Sequence, residues 1–392
     1  MKILYISLHP NVNMGANTGP GTHIREVVKA FRKRGHQVET LIAGGTVAPE
    51  PIMGKTIKKD FFKYLLPKVV KESIKDFLLL RHNRSFFSRI VQSIEQERPD
   101  MIYERAYYLC SAGYKAAQKY GIPYIVEMNS PYIEEKPMMS SYSLYHFMAK
   151  KVELAQLNAA NRFIVVSNIL KQYFVKKMPT AVDKIMVIPN AVGSDWRIPD
   201  MSRRIERRHR LGIEDDTIVI GFVGSIFPYH GVDLLIDAFS ELSHSTLNLR
   251  LLIIGDGSII GQLKSKCREL QISAKVIFTG SVKNDLIPEY LTMMDIAAVV
   301  HSNWYGSPTK IFEYGAAGLP IISADEEPIK DVMIDGVHGV LVKPEKSAVK
   351  ESLVSLINDK EKRLRFGVTF QKKVFAEHNW DRNVDKILEG FE

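Results

Sequence analysis

The chain has 392 residues, of which 45% are hydrophobic and 25% are charged. This length exceeds what one hydrophobic core usually supports, so we expect two domains of roughly 200 residues each. The composition is typical of a globular protein. The formal net charge of +9 comes from 53 Lys and Arg against 44 Asp and Glu, and it suits an anionic partner such as a phosphate ligand, an acidic membrane surface or nucleic acid.

Two cysteines, Cys110 and Cys267, lie far apart in the sequence. This pattern fits a reducing compartment and excludes a disulfide framework and a cysteine zinc site. The N-terminal MKILYISLHP has an apolar core too short for a signal peptide, and no run of about 18 apolar residues occurs. We therefore expect a cytoplasmic protein that does not span a membrane.

Short apolar runs alternate with helical patterns along the chain, which predicts parallel sheets covered by helices on both faces. The strands predicted in the first half are KILYIS, QVETLIAG, MIYER, PYIVEM, RFIVVS and IMVIPN. Those predicted in the second half are TIVIGFVG, LRLLIIG, KVIFTG, IAAVV, PIIS and GVLV. The fold class predicted is α/β, with a parallel sheet in each half of the chain.

A polar, mostly charged stretch, SDWRIPDMSRRIERRHRLGIEDD, separates the two sets of strands and is interpreted as the hinge, with SRRIERRHR as a solvated linker. The predicted domains are residues 1–195 and 196–378. The last segment, 379–392, has a helical pattern and is expected to pack back onto the first domain.

An open parallel sheet binds ligands at the carboxyl ends of its strands. Polar and glycine residues follow several predicted strands: Glu104 and Arg105, Asn129 and Ser130, Asn168, Asn190, Gly224 and Ser225, Gly255 to Gly257, Gly280 and Ser281, and His301 to Asn303. For any single loop, ordinary turn chemistry is an equally good explanation.

The segment SPTKIFEYGAAGLP, residues 307–320, predicts a short helix with Ser307 as N-cap and Pro308 at its first position. The helix start and Lys310 favour a phosphate. Glu313 would lie about 9 Å beyond the cap, where a carboxylate can accept hydrogen bonds from ribose hydroxyls. The alternative is a Lys310–Glu313 pair on a solvated face.

Five segments of the second half together resemble the C-terminal domain of the retaining glycosyltransferases of family 4, which have the GT-B fold of two Rossmann-like domains facing across a cleft. They are GFVGSIFPYHGVDLLIDAF, LLIIGDG, VIFTGSV, SPTKIFEYGAAGLPIIS and IKDVMIDGVHGVLV. In the first half, GPGTHIREVVKAFRKRGHQV resembles the family's glycine-rich loop and first helix, and RFIVVSN and IMVIPNAV resemble two of its strands. The resemblance covers nearly the whole chain.

The resemblance implies roles for individual residues. Glu313 would bind the donor ribose, the Ser307–Pro308–Thr309 backbone and Lys310 the diphosphate, and Val282 the base. The loop after the first strand of the second domain, with Gly224 and Ser225, would border the phosphates. In the first domain, a loop carrying Gly19, Gly21 and Thr22 would close over phosphates and acceptor, and His23, Asn129 and Arg105 would line the cleft.

The sequence departs from the family pattern in two places. Tyr305 stands where many members carry a second glutamate, eight residues before Glu313. Ser225 and His230 stand where many members carry an Arg and a Lys that neutralise the diphosphate. We expect Lys310, Arg105 and a protonated or hydrogen-bond-donating His230 to take over that task.

The family mechanism implies a hexosyltransferase that retains anomeric configuration, needs no metal or other cofactor, and uses a UDP-sugar or GDP-sugar donor. The acceptor would be a glycan, a lipid-linked glycan or a small molecule, with a role in polysaccharide or glycoconjugate biosynthesis. Glu127 is a candidate nucleophile or base, and an equally good structural residue. A nucleotide-sugar-binding module without catalytic activity, or a transferase of a small secondary metabolite, are the alternatives.

Two other classes of function fit less well. A nicotinamide dehydrogenase would use Gly255, Gly257 and Gly261, but the next predicted strand, KVIFTG, does not end in the acidic ribose ligand of that site. A nucleic-acid-binding protein would explain the positive charge, yet the sequence contains no recognition-helix, RRM or zinc-finger pattern.

The stretch from residue 55 to residue 89 has ten Lys or Arg against three Asp or Glu, with Phe and Leu between them. One interpretation is an interfacial helix on an anionic lipid surface, which would make the protein peripheral on the inner face of the plasma membrane. The other is an ordinary amphipathic helix with a solvated basic face. The sequence leaves both open.

Overall fold

The computed structural model describes residues 1–47, 66–193, 195–197, 200–244 and 247–391. The chain forms two compact units, Met1–Ile188 and Pro189–Glu392. Each unit is built on a sheet of six strands, and every strand pairing within the two sheets is parallel.

The first unit contains the strands β1 (Lys2–Ser7), β2 (Gln37–Ile42), β3 (Met101–Arg105), β4 (Tyr124–Met128), β5 (Arg162–Val165) and β6 (Ile185–Val187). Its helices are α1 (Gly19–Lys33), α2 (Lys68–Glu97), α3 (Ala112–Tyr120), α4 (Tyr132–Met139), α5 (His146–Ala159) and α6 (Asn168–Lys177). The strand order is β2-β1-β3-β4-β5-β6.

The second unit contains the strands β7 (Ile218–Val223), β8 (Leu249–Ile254), β9 (Val276–Gly280), β10 (Ile296–Val299), β11 (Ile321–Ala324) and β12 (Gly339–Val342). Its helices are α7 (Arg204–Arg210), α8 (Val232–Ser243), α9 (Ile260–Glu269), α10 (Ile287–Leu291), α11 (Thr309–Ala316), α12 (Glu327–Lys330), α13 (Lys346–Asn358), α14 (Lys360–Glu377) and α15 (Trp380–Leu388). The order β12-β11-β10-β7-β8-β9 is that of a Rossmann fold.

All twelve predicted strands are confirmed. Their burial explains why the sequence predicts them. The strands β3, β4, β10 and β11 are buried along their whole length. A parallel strand covered on both faces needs a nearly continuous apolar run. In each sheet the strand order reverses next to the first strand, between β1 and β3 and between β7 and β10, so the loops at these ends are where ligands are expected.

The prediction that SRRIERRHR is a solvated linker is wrong. Its central part is α7, and Arg208 is buried, donating to the carbonyl oxygens of Met293 and Thr217 and to Asp295. Arg204 also donates to Asp295, at 2.6 Å. Local composition does not show that an arginine donates to carbonyl groups of a turn that is distant in sequence. This contact depends on how the chain folds.

The predicted C-terminal helix is α15, and Asn379 caps it by accepting from the backbone N–H of Arg382. The helix belongs to the second unit, where Asn383 donates to the carbonyl of Pro189. The sequence boundary at residues 195 and 196 and the packing of this helix onto the first domain stay predictions.

Candidate functional site

The start of α11 is held by Asn190, the residue that follows β6 by three positions. Its backbone N–H donates to the Ser307 hydroxyl at 3.0 Å, and its side-chain amide donates to the Ser307 carbonyl at 2.5 Å. The prediction of Ser307 as N-cap is therefore wrong: the helix begins at Thr309, Pro308 occupies the cap, and no side chain caps it. The Ser307 hydroxyl instead fixes the segment that precedes the helix, by accepting from the Asn190 N–H.

Lys310, in the first turn of α11, is 8% exposed, and its ammonium nitrogen has no hydrogen-bond partner among the described residues. The nitrogen lies 4.3 Å from the centroid of the Phe222 ring. Burial lowers the pKa of Lys310 to about 7, although the charge of Glu313 opposes this shift. A buried ammonium without a hydrogen-bonding partner is costly, so this position favours an anionic ligand that would provide one.

Glu313 is half-buried one turn after Lys310. The next residue, Tyr314, is fully buried, and its hydroxyl accepts from the backbone N–H of Val223 at 2.6 Å. This bond joins α11 to the carboxyl end of β7. The alternative of a Lys310–Glu313 pair on a solvated face is wrong, because Lys310 lies inside the protein.

The loop after β7 approaches Lys310 through Gly224, which has φ of +138°. A side chain there would meet the Lys310 nitrogen at 2.9 Å, and a side chain at Gly255 would lie 2.0 Å from the Gly224 carbonyl oxygen. Glycine is thus required by both conformation and space. Ser225 is exposed beside it, and Val282, in the loop after β9, is half-buried.

His230 lies at the end of the same loop, and its Nδ1 is 2.5 Å from the Ser225 carbonyl oxygen. Burial, with the positive charge of Lys310, lowers the pKa of His230 to about 3. This favours a neutral imidazole that donates from Nδ1 to the Ser225 carbonyl, and the expected help of His230 at the diphosphate stays a prediction. His301, which follows β10, makes a similar contact from Nδ1 to the Tyr229 carbonyl at 2.9 Å.

In the first unit, Glu127 connects several polar side chains at the end of β4. It is 2% exposed, and one oxygen lies 2.6 Å from His23 Nε2 and accepts from the Asn129 amide at 2.6 Å. The other oxygen accepts from the Tyr103 hydroxyl at 2.5 Å. Burial alone would raise the pKa of Glu127, but His23, Arg105 and the Tyr103 hydrogen bond lower it to about 2.

Arg105 ends β3 and is buried, and its Nε has no hydrogen-bond partner among the described residues. Burial opposes its charge, but Tyr132, Glu127 and Tyr5 outweigh this and raise the pKa of Arg105. Burial and the charge of Arg105 lower the pKa of His9, which follows β1, to about 4. Arg105 is thus a cation at the strand-order reversal of the first sheet.

Gly19, Gly21 and Thr22 do not lie in a loop. They form the first turn of α1, which Thr18 caps by accepting from the Gly21 N–H at 3.3 Å. A side chain at Gly21 would lie 2.6 Å from the carbonyl oxygens of Asn13 and Ala16. The three residues therefore lie on the first turn of a helix and not in a loop, and their role at the phosphates and the acceptor stays a prediction.

The structure therefore forms two separate groups of the predicted residues, one in each unit. Sequence reasoning placed Asn190 and His301 at strand ends without giving them a role, and it missed Tyr314, Tyr103 and His9. For Asn190 and His301, the location directly after a predicted strand was the available signal. Tyr314 and Tyr103 lie inside apolar runs, where an aromatic side chain normally indicates only packing.

Two family models match the chain. "Glycosyltransferase Family 4" matches residues 17–196, and "Glycosyl transferases group 1" matches residues 203–373. The two matches meet near the division between the two compact units.

Individual proteins agree with the family models. An uncharacterized glycosyltransferase of Methanocaldococcus jannaschii is 26% identical over 56% of this chain, and the match spans 56% of that relative's length. A D-inositol 3-phosphate glycosyltransferase of Xylanimonas cellulosilytica is 22% identical, with 100% of this chain and 96% of the relative covered. HepE of Anabaena, solved in complex with UDP-glucose, has a TM-score of 0.72 at 18% identity, with 100% of this chain and 99% of HepE covered.

Proposed function

The chain belongs to the family 4 glycosyltransferases and has their GT-B fold, and we propose that it transfers a sugar from a UDP-sugar or GDP-sugar to an acceptor hydroxyl with retention of anomeric configuration. The buried ammonium of Lys310, without a hydrogen-bond partner among the described residues, is the observation that carries this proposal. It lies between the loop after β7 and the first turn of α11, at the strand-order reversal of the second sheet.

The donor diphosphate is proposed to lie at the start of α11. The first N–H groups of an α-helix have no intrahelical acceptor and favour an anion. The backbone N–H groups of Ser307 and Thr309 and the Lys310 ammonium would donate to it, beside Gly224 and Ser225; Pro308 has no N–H to donate. Neutral His230 donates its one ring proton to the Ser225 carbonyl, so its Nε2 would accept from a hydroxyl of the donor sugar and would not act as a cation on the phosphates.

The donor nucleoside is proposed to extend from the diphosphate along α11. Glu313 would accept hydrogen bonds from the ribose hydroxyls, and the backbone around Val282 would contact the base. HepE, which shares the fold, was solved with UDP-glucose bound, and this supports a nucleotide-sugar donor.

The acceptor hydroxyl is proposed to bind on the first unit, near His23, Asn129 and Arg105. Glu127 fixes His23 and Asn129 through the contacts described above, so we assign it a positioning role and not that of a nucleophile. Gly19, Gly21 and Thr22, at the start of α1, would contribute backbone close to the same ligands.

In the proposed reaction, the bond between the anomeric carbon and the leaving phosphate oxygen breaks. A bond from that carbon to the acceptor oxygen forms on the same face, and the acceptor proton passes to a phosphate oxygen. The nucleoside diphosphate leaves. Positive groups aimed at the developing phosphate charge lower the barrier, and Lys310 with the α11 terminus supplies them, so we propose that no metal is needed.

The class of acceptor is proposed to be a glycan or a lipid-linked glycan, with a small molecule as the alternative. The relative named a D-inositol 3-phosphate glycosyltransferase supports the alternative, because its name gives a small acceptor. Both cysteines of this chain are free and buried, which supports a proposed location in the cytoplasm.

A second candidate is a nucleotide-sugar-binding module without catalytic activity. The observation that favours it is the absence of a basic side chain at Ser225 and the neutral state of His230, where many family members carry an Arg and a Lys. Tight donor binding without hydrolysis or transfer on any acceptor would favour this module over the enzyme.

The test is a thermal-shift panel of nucleoside diphosphates and nucleotide sugars with the full chain, followed by transfer assays with the donor that binds. A ligand present at about 100 times its Kd stabilises the folded state by about 2.7 kcal/mol. We expect one uracil or guanine nucleotide to give such a shift and Glu313→Ala to lose about half of it, as a tenfold weaker affinity would. Glu351→Ala, an exposed glutamate on α13, is the matched control. An unchanged shift in Glu313→Ala would refute the ribose assignment.

A further inference from the structure

The first turns of α2 are inverted relative to an ordinary amphipathic helix. Glu72, Ser73 and Asp76 are buried. Val70, Ile74 and Phe77, which recur at three- and four-residue spacing, are exposed. In a helix that packs on a protein core, the apolar stripe faces inward, so this arrangement needs another explanation.

Buried polar contacts hold α2 in this orientation. Asp76 is 1% exposed and accepts from Lys136 on α4 and from the Ser143 hydroxyl. The Ser73 hydroxyl accepts from the backbone N–H of Leu144 at 3.0 Å. The polar side chains of α2 therefore make their hydrogen bonds inside the unit. The helix cannot turn its apolar side inward without breaking these hydrogen bonds.

The segment that α2 contacts is also apolar on its outside. The side chains that continue the exposed apolar area of α2 belong to the end of α4, the connection and the start of α5: Met138, Met139, Leu144, Phe147 and Met148. Leu144 is 80% exposed and Met138 is 78% exposed. The outer surface, defined as these five residues with Val69, Val70, Ile74, Phe77 and Leu78, exceeds the scattered exposed hydrophobic residues of a typical monomer.

The charges at the outer surface are positive. Between residues 66 and 89, the two acids, Glu72 and Asp76, are both buried, whereas Lys68, Lys75, Arg81, Arg84 and Arg89 are exposed. On α5, Lys150 and Lys151 are exposed, and Lys151 lies 4.6 Å from the Phe147 ring centroid. Residues 55–65 of the basic stretch lie outside the described residues.

We propose that the outer surface docks on an anionic lipid bilayer, with the apolar side chains in the headgroup region and the lysines and arginines on lipid phosphates. Apolar area combined with basic charge is what binds a helix in the interface plane, and each basic side chain near an anionic surface strengthens binding roughly fivefold. Among the described residues, no helix is long and apolar enough to cross a bilayer. This inference goes beyond the transfer reaction and does not depend on it.

The test is flotation of the full chain with vesicles of phosphatidylcholine alone or with phosphatidylglycerol added. We expect binding to the anionic vesicles at low salt, weaker binding at high salt because screening shortens the reach of the charges, and little binding to neutral vesicles. Leu144→Ser with Phe147→Ser should lower the partition coefficient at least tenfold, and Lys150→Gln with Lys151→Gln should lower it by roughly 25-fold.

The matched control is Leu364→Ser with Val368→Ser, two exposed hydrophobic residues on α14 of the second unit. It should float like the unchanged chain. The proposal fails if the chain does not float with anionic vesicles at low salt, or if the control loses as much binding as the Leu144 and Phe147 variant. It also fails if sedimentation shows a dimer that the Leu144 and Phe147 variant dissociates, since a second copy then covers the outer surface.

Discussion

The polar groups of the two units differ in how their charges are satisfied. In the first unit, Glu127 has contacts from His23, Asn129 and Tyr103, and its pKa falls to about 2. In the second unit, the Lys310 ammonium is also buried but has no hydrogen-bond partner among the described residues, and its pKa falls to about 7. Both pKa values are lowered. For Glu127 this means that the fold stabilises the charged carboxylate, and for Lys310 it means that the fold destabilises the charged ammonium.

This difference distinguishes positioning from binding. A carboxylate whose oxygens already accept hydrogen bonds from neighbouring side chains holds those side chains in place. Its removal should therefore lower the free energy of unfolding more than it weakens ligand binding. A buried ammonium without a hydrogen-bond partner lowers the free energy of unfolding. Its removal should therefore weaken ligand binding without destabilising the fold. The two units therefore respond in opposite directions to removal of their central charge.

Lys310→Met should give the largest effect. UDP or GDP binding is expected to weaken by about 100-fold, because hydrogen bonds to charged groups contribute about 1.5–3 kcal/mol each. The ligand-free variant should be more stable than the unchanged chain at pH 7. Isothermal titration and urea unfolding measure the two quantities, and Lys360→Met, at an exposed position, is the control.

The pH dependence sharpens this prediction. The folded-state pKa of Lys310, about 7, lies below its ordinary value of 10.5. The unfolded chain therefore binds more protons between these values, and stability rises with pH there. The stability gap between Lys310→Met and the unchanged chain should be largest below pH 7 and should close toward pH 10. A gap independent of pH would contradict the burial of this charge.

Glu127→Gln should destabilise the chain by roughly 3 kcal/mol at pH 7, which is what the shift from 4.5 to about 2 corresponds to. Because the folded pKa lies below the unfolded one, this contribution is complete above pH 4.5 and disappears as the pH falls toward 2. Urea unfolding at pH 7 and pH 3 measures it, with Glu351→Gln as control. Equal destabilisation at both pH values would show that the carboxylate charge is not stabilised by the fold.

Glu313→Ala should weaken nucleoside diphosphate binding about tenfold, since a hydrogen-bonded carboxylate contributes about 1.5 kcal/mol or more. Inorganic pyrophosphate, which has no ribose, should bind the variant and the unchanged chain equally. Competition titrations with both ligands separate the two contributions. A loss of pyrophosphate binding equal to the loss of nucleotide binding would assign Glu313 to the diphosphate and not to the ribose.

His230→Gln should have the smallest effect, about threefold on nucleotide-sugar affinity, because the neutral Nε2 contributes one ordinary hydrogen bond, accepted from a hydroxyl of the donor sugar. The low pKa of His230 predicts that this effect stays constant between pH 5 and pH 8. Titrations at these two pH values measure it. A large effect confined to the lower pH would mean that the bound diphosphate protonates His230.

The sequence predicts the strands and their carboxyl ends well, because buried parallel strands must be apolar and turns must be polar. It does not predict which distant residues satisfy one another. Arg208 reads as part of a charged run, yet it donates to carbonyl groups near residue 293. The contact of His23 with Glu127, 104 positions apart, and the inward acids of α2 depend on the same long-range packing.

The structure of the complex with a bound nucleoside diphosphate tests the central claim most directly. The account predicts the pyrophosphate within hydrogen-bond distance of Lys310 Nζ and of the backbone at the start of α11, with the ribose hydroxyls on Glu313. A nucleotide bound elsewhere, or a Glu313 side chain turned away from the ribose, would contradict it.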